Sequence, residues 1–246
     1  MWNDTPQVLD ECRWKFPPPK EWPKSDLVGR GADLRPETLI HAYMNGVFPM
    51  SSELALGEND VAWWSPLLRG VIPLDVLRVT RSMRRSQRKF HIKIDTCFER
   101  VMRGCASPDR PGGWINEQFI TAYVELHKLG WAHSIEVFDG DQLIGGLYGL
   151  AIGRVFFAES MFSHCSQASA AALFALSETL HEWRWSWLDA QMENPHLRLL
   201  GGQRMDRTDY LGMLARDAAE NGVAAGWTAH FPGLKINDYL AKTRLA

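Results

Sequence analysis

Residues 116–130, NEQFITAYVELHKLG, place Phe119, Ile120, Tyr123, Leu126 and Leu129 at three- and four-residue intervals. That period marks one face of a helix, and Gly130 supplies its stop. The same period over residues 33–46 sets Leu39, Ile40 and Tyr43 on one side. Asp33 can cap this second helix, Pro36 suits its first turn, and Gly46 ends it. Further on the pattern changes. SIEVF (134–138) turns at Asp139-Gly140 into LIGGLYGLAIG, which turns at Gly153 into RVFFAESMF. Turns this short force antiparallel neighbours, so the three segments predict a meander. SQASAAALFALSETLHEW is small and apolar nearly all round, which predicts a helix buried against the sheet. WRWSWLDAQM predicts another strand and DRTDYLGMLARDAAENG a closing helix. Near the start, FPPPKEWP cannot be helix or central sheet, because consecutive prolines lack N–H donors. Residues 50–60 read as a loop, WWSP (63–66) as a junction and VIPL as a strand.

Composition narrows the class. The chain has 246 residues, 46% hydrophobic and 23% charged, with a formal net charge of −2. These values suit one large domain, or a mid-sized one with a small companion, and they exclude a uniformly basic nucleic-acid coat. No window approaches the ~18 uncharged apolar residues of a membrane span, and the N-terminus lacks the basic start and apolar stretch of a secretory signal. Cys12, Cys97, Cys105 and Cys165 form no CxxC pair, and the eight histidines show no HxxxH or HExxH spacing. A reduced, cytoplasmic protein without a metal site is expected.

Four constellations carry candidate chemistry. Asp189 and Gln191 alternate onto one face of the WLDAQ strand; the plain reading is a polar pair at the solvent edge. Glu159 is the charged group in the apolar strand RVFFAESMF, where unpaired burial would raise its pKa; the plain reading is a backbone hydrogen bond at an edge. Residues 77–94 hold Arg78, Arg81, Arg84, Arg85, Arg88, Lys89 and Lys93 with no acid between them. Arg81, Arg84, Arg85 and Arg88 follow helical spacing and give one cationic face, suited to a polyanion or simply to solvent. Trp114 follows Pro111-Gly112-Gly113 in a loop and could stack a nucleobase, although most of the eleven tryptophans will be packing.

The order meander, buried helix, strand, helix resembles the acyltransferase fold of the N-acetyltransferase superfamily. Acetyl-CoA-dependent members carry a glycine turn that cradles pyrophosphate at the start of the helix after the meander. Here that junction is FSHCSQASAAAL, without glycine.

An ordered set of short motifs goes further. GADL, GVFP, WWSP, RSMRR, GCA, WI, AYVELHKLGWAHSIEV, GGLYG, ESMFS, LDAQ and HLRLLGG run over roughly residues 26–215. The set resembles the leucyl/phenylalanyl-tRNA–protein transferases. The resemblance implies an α/β (α+β) protein. It would have a small N-terminal domain, residues 1–66, and an acyltransferase-like C-terminal domain, residues 67–246, with a mixed, mainly antiparallel sheet. It implies transfer of Leu, Phe or Met from aminoacyl-tRNA to proteins beginning with Arg or Lys, in the N-degron pathway, by a cytoplasmic monomer that needs no cofactor, metal or membrane. Competing readings are a CoA-dependent N-acyltransferase, which the missing glycine turn disfavours, and a non-catalytic RNA- or peptide-binding module, which would be free to lose the polar trio.

By the same resemblance Glu159, Asp189 and Gln191 form the catalytic centre. Trp114 and Tyr123 lie at the terminal adenosine, and Leu147, Phe156, Leu176 and Leu188 form the apolar pocket. Met50 stands where the family often has an aromatic. Arg81, Arg84, Arg85 and Arg88 would meet the tRNA. Asp189 is expected to orient Gln191 and meet the incoming ammonium, making with Glu159 a negative mouth. Phe156 and Glu159 fall on opposite faces of a regular strand, so serving one site together requires a β-bulge, expected at Phe157-Ala158.

Overall fold

The computed structural model describes residues 5–51, 61–76, 90–107, 113–219 and Trp227. Strands β1 (Leu27–Arg30), β2 (Phe48–Ser51) and β3 (Val61–Trp64) form an antiparallel sheet in the order β1-β3-β2. Trp63 and Trp64 therefore end a central strand rather than mark a junction; aromatic residues suit a pleated, half-buried surface, and Trp63 pairs with both Gly29 and Pro49. Helix α1 (Pro36–Met44) precedes β2 and buries Leu39, Ile40 and Tyr43. Its N-cap is Arg35, not Asp33. The Asp33 carboxylate still closes the first turn, accepting from the Arg35 N–H at 3.1 Å and the Thr38 hydroxyl at 2.7 Å. Gly46 follows the helix at φ +77°, and its carbonyl points at Arg69.

The larger sheet holds β4 (Leu68–Pro73), β5 (Phe90–Ile94), β6 (Ala132–Asp139), β7 (Gln142–Ile152), β8 (Val155–Ser163), β9 (Trp187–Gln191) and β10 (Gln203–Asp206). Their order is β10-β4-β9-β8-β7-β6-β5. The predicted meander is β6-β7-β8. Every pairing is antiparallel except β8 with β9. A parallel pair needs a long crossover, and the Ala/Leu-rich helix α4 (Ala168–Glu182) supplies it. It is buried as its composition predicts, packing with Ile135, Leu147, Phe156 and Leu188. On the opposite face lie α1, α2 (Phe98–Cys105), α3 (Glu117–Lys128) and α6 (Arg207–Asp217), around Tyr43, Tyr123, Tyr148, Phe157 and Tyr210. A short helix, α5 (Pro195–Leu199), follows β9. The basic stretch ends in a strand: Phe90, Ile92 and Ile94 alternate inward in β5. Residues 77–89, with Arg81, Arg84, Arg85 and Arg88, lie outside the described residues.

The centre of the sheet is deliberately incomplete. β8 and β9 pair only at Phe156 with Leu188 and Phe157 with Asp189. Just beyond, each strand carries an extra residue. Tyr148 pairs with Ser160 while Gly149 pairs with Ala158, leaving Glu159 without a cross-strand partner. Gly70 pairs with Gln191 and Val71 with Asp189, leaving Ala190 extra on β9. Bulges bend and twist the strands that carry them, so these two part. Gly149 is required opposite the first bulge, because a Cβ there would collide with the Phe157 carbonyl.

The expected bulge is thus present, but at Glu159 rather than Phe157-Ala158. That placement leaves Phe156 facing α4 and Glu159 facing the other layer. The bulge brings Ala158 and Met161 onto one face, instead of Phe156 and Glu159.

Candidate active site

A cavity of about 470 Å³ fills the gap between β8 and β9. Because it passes between strands, side chains from both faces of the sheet reach it. Leu147, Met161, Leu173 and Leu188 give it apolar walls, Glu159 and Gln191 are its buried polar groups, and Met50 and Trp114 flank it from the N-terminal side. Trp114 is held in its loop by packing edge-on against Phe119 and by accepting, through its carbonyl, a 2.6 Å bond from the Ser51 hydroxyl.

Six of the residues named from the sequence therefore line the cavity: Met50, Trp114, Leu147, Glu159, Leu188 and Gln191. Asp189, Tyr123, Phe156 and Leu176 stand behind it. Phe156 packs toward α4 and Trp227. Leu176 lies one helical turn past Leu173, the α4 residue that does reach the cavity. Tyr123 touches the cavity through Glu159, donating to its Oε2 at 3.2 Å.

Glu159 is buried and has no basic partner among the described residues. The Gln191 Nε2 donates to its Oε1 at 2.6 Å. Behind it the Tyr123 hydroxyl meets the Tyr43 hydroxyl at 2.5 Å. Burial pushes the Glu159 carboxyl up to about 7; hydrogen bonds from its tyrosine and amide neighbours oppose the rise, and the nearby Asp189 charge adds to it. Both tyrosine hydroxyls are pushed well above their ordinary value, chiefly by burial. They remain protonated donors at neutral pH.

Asp189 has the opposite surroundings. It is fully buried against Arg69, also fully buried, with the guanidinium Nη2 2.6 Å from Oδ2 and Nε 2.9 Å from Oδ1. The Tyr210 hydroxyl donates to Oδ2 at 2.6 Å, and the Gln191 N–H donates to Oδ1 at 2.7 Å. Its charge is neutralised and its oxygens are occupied, so it cannot meet an incoming ammonium. The negative mouth expected from Glu159 and Asp189 together reduces to Glu159. A buried carboxylate needs a counter-charge, and Arg69 was visible in the sequence as the lone charge in the apolar run LLRGVIPL. Tyr210 gave no comparable signal; it reads as one more aromatic on an amphipathic helix.

At the start of α4 the Ser163 hydroxyl accepts from the Ser169 N–H at 3.3 Å, and Gln167, at the N-cap, takes φ +69°. This helix end is capped from within the chain.

Family models and curated relatives point to one family. Residues 71–215 match the family described as leucyl/phenylalanyl-tRNA protein transferase, and residues 32–67 match its N-terminal domain. A leucyl/phenylalanyl-tRNA–protein transferase of Xanthomonas euvesicatoria pv. vesicatoria is 43% identical over 93% of this chain and 92% of its own length. That of Hydrogenovibrio crunogenus is 42% identical over 82% of this chain and 79% of its own. Among solved structures, that of L-PGS from Bacillus licheniformis is 11% identical with a TM-score of 0.36, covering 53% of this chain and 48% of that one. With two family models in sequence order and relatives aligned along nearly the whole chain, the protein belongs to the leucyl/phenylalanyl-tRNA–protein transferase family.

Proposed function

We propose that the cavity between β8 and β9 receives the esterified end of an aminoacyl-tRNA, and that Glu159 accepts the proton released when a protein's N-terminal amine attacks. The observation that carries this reading is a buried carboxyl without a basic partner among the described residues, on the wall of a cavity it shares with Gln191 and the apolar Leu147, Met161, Leu173 and Leu188, poised near neutrality. The apolar walls suit a Leu, Phe or Met side chain. Trp114 and Met50 lie where the adenosine would stack, and Arg81, Arg84, Arg85 and Arg88 are the proposed contacts to the tRNA body.

The ester is already activated, and an α-amine has an ordinary pKa of about 7.7–8. The enzyme therefore needs position and a modest base more than a strong one. The amine nitrogen bonds to the ester carbonyl carbon and gives a proton to Glu159. The bond from that carbon to the ribose oxygen breaks, and the ribose hydroxyl leaves with the proton that Glu159 returns. Gln191, a neutral amide and a very weak base, orients Glu159 through its Nε2 rather than taking the proton itself.

Glu159 also favours acceptors whose first side chain is cationic, Arg or Lys. We further propose that the chain divides at residues 66/67, works as a monomer in the cytoplasm and marks proteins for the N-degron pathway. Among the described residues, no helix is long and apolar enough to cross a membrane, and no cluster of His, Cys, Asp or Glu is arranged to hold a metal. The test is transfer of labelled leucine from Leu-tRNA to a peptide beginning with Arg, with acetyl-CoA as the competing donor. Transfer from the tRNA alone supports the reading; acetylation of the peptide, or no transfer, contradicts it.

A further inference from the structure

Gln191 is a non-glycine residue in the left-handed region, at φ +57°, at the end of a bulged strand. Such a backbone persists only where its surroundings over-determine it. From this conformation its side-chain amide reaches the Glu159 carboxyl, next to Ala190, the extra residue that breaks the strand's alternation. What fixes the turn is the 2.7 Å bond from the Gln191 N–H to Asp189 Oδ1.

Asp189 is in turn fixed by two groups from distant parts of the chain. Arg69 grips both carboxylate oxygens from β4. Its guanidinium is sandwiched between the rings of Phe48 and Tyr210, 4.6 and 4.5 Å from their centroids, and its Nη1 donates to the Gly46 carbonyl at 3.3 Å. Tyr210 holds the second oxygen from α6. None of Arg69, Asp189 and Tyr210 lines the cavity. Beyond Gln191 the chain folds tightly over Gly70, where a Cβ would lie 2.7 Å from the Glu193 nitrogen.

We propose that Arg69 and Tyr210 are positioning residues for aminoacyl transfer: they hold Asp189 as an oriented anion, which locks the Gln191 turn and so aims the Gln191 amide at Glu159. This rests on the reading of the cavity as the transfer site. It replaces the expected contact between Asp189 and substrate with a chain of three contacts, Arg69 to Asp189 to Gln191 to Glu159. It also explains why a costly buried ion pair is placed immediately behind a cavity.

Two variants test it. Arg69→Lys keeps the charge opposite Asp189 but loses the two-point grip; Tyr210→Phe removes one hydroxyl and keeps the ring. Each is assayed for kcat and for KM toward Leu-tRNA in transfer to an Arg-initiated peptide, alongside thermal unfolding. A misplacement of the reacting groups costs up to about 10²-fold in rate. The expected result is a kcat roughly 10²-fold lower for Arg69→Lys and roughly tenfold lower for Tyr210→Phe, with KM for Leu-tRNA within about threefold of wild type. If Arg69→Lys does not fold, Tyr210→Phe decides alone. Either variant folded with kcat within twofold of wild type, or with the loss appearing in KM, overturns the proposal. Failure of the underlying reading shows separately, as a Glu159→Gln variant whose kcat stays within about twofold of wild type.

Discussion

Glu159 and Glu136 sit in the same seven-stranded sheet, both buried, and burial pushes both carboxyls up to about 7. Their surroundings differ. Glu136, on β6, is sealed by donors: the Ser134 hydroxyl at 2.6 Å, the Thr96 hydroxyl at 3.0 Å, and the backbone N–H groups of Thr96 at 3.1 Å and Cys97 at 3.2 Å. These bonds tie the turn between β5 and α2 to the next strand. Glu159 has two side-chain donors and an open cavity wall. A raised carboxyl is therefore not in itself a sign of chemistry. Burial raises both, and the bulge at Glu159 places only that one of the two on the wall of the cavity.

Exchanging each carboxylate for its amide breaks the comparison most sharply. Glu159→Gln should lower kcat for transfer by about 10²–10³-fold, the scale of a lost proton acceptor, while the variant remains folded. The equivalent Glu136→Gln should leave kcat per folded molecule within about twofold. It should destabilise the fold by about 1–3 kcal/mol, because at least one buried donor loses its acceptor; chemical denaturation measures this. If Glu136→Gln is as inactive as Glu159→Gln while remaining folded, access is not what separates the two.

A smaller effect sharpens the same point. Both carboxyls hold a proton more readily folded than unfolded, so the folded chain binds more protons between about pH 4.5 and about 7. Each therefore makes stability fall as pH rises through that window. Glu136→Gln should flatten the fall measured by denaturation at several pH values, whereas an unchanged slope would place the Glu136 proton elsewhere.

Much of this was legible in advance. The α3 period, the β6-β7-β8 turns and the apolar α4 each carry their signal within one segment, and the motif set places Glu159 and Gln191 at the centre. What stayed hidden depends on contacts between segments. Asp189 reads as a solvent-edge group until Arg69, 120 residues earlier, is seen beside it. Leu173 and Leu176 are both apolar residues of one helix, and only the helix's rotation against the sheet decides which meets the cavity. The demands on Phe156 and Glu159 call for a bulge, yet its position, at Glu159 opposite Tyr148 and Gly149 of β7, lies one to two residues beyond Phe157-Ala158.

The central claim is that Glu159 takes the amine's proton, and the pH dependence of kcat tests it most directly. Alongside a limb at about 8 from the acceptor amine, wild-type kcat measured with saturating Leu-tRNA and an Arg-initiated peptide should show a rising limb that ends at about 7. In Glu159→Gln that limb should vanish, leaving a lower profile governed by the acceptor amine nearer 8. A limb near 7 that survives unchanged in Glu159→Gln would show that another group accepts the proton.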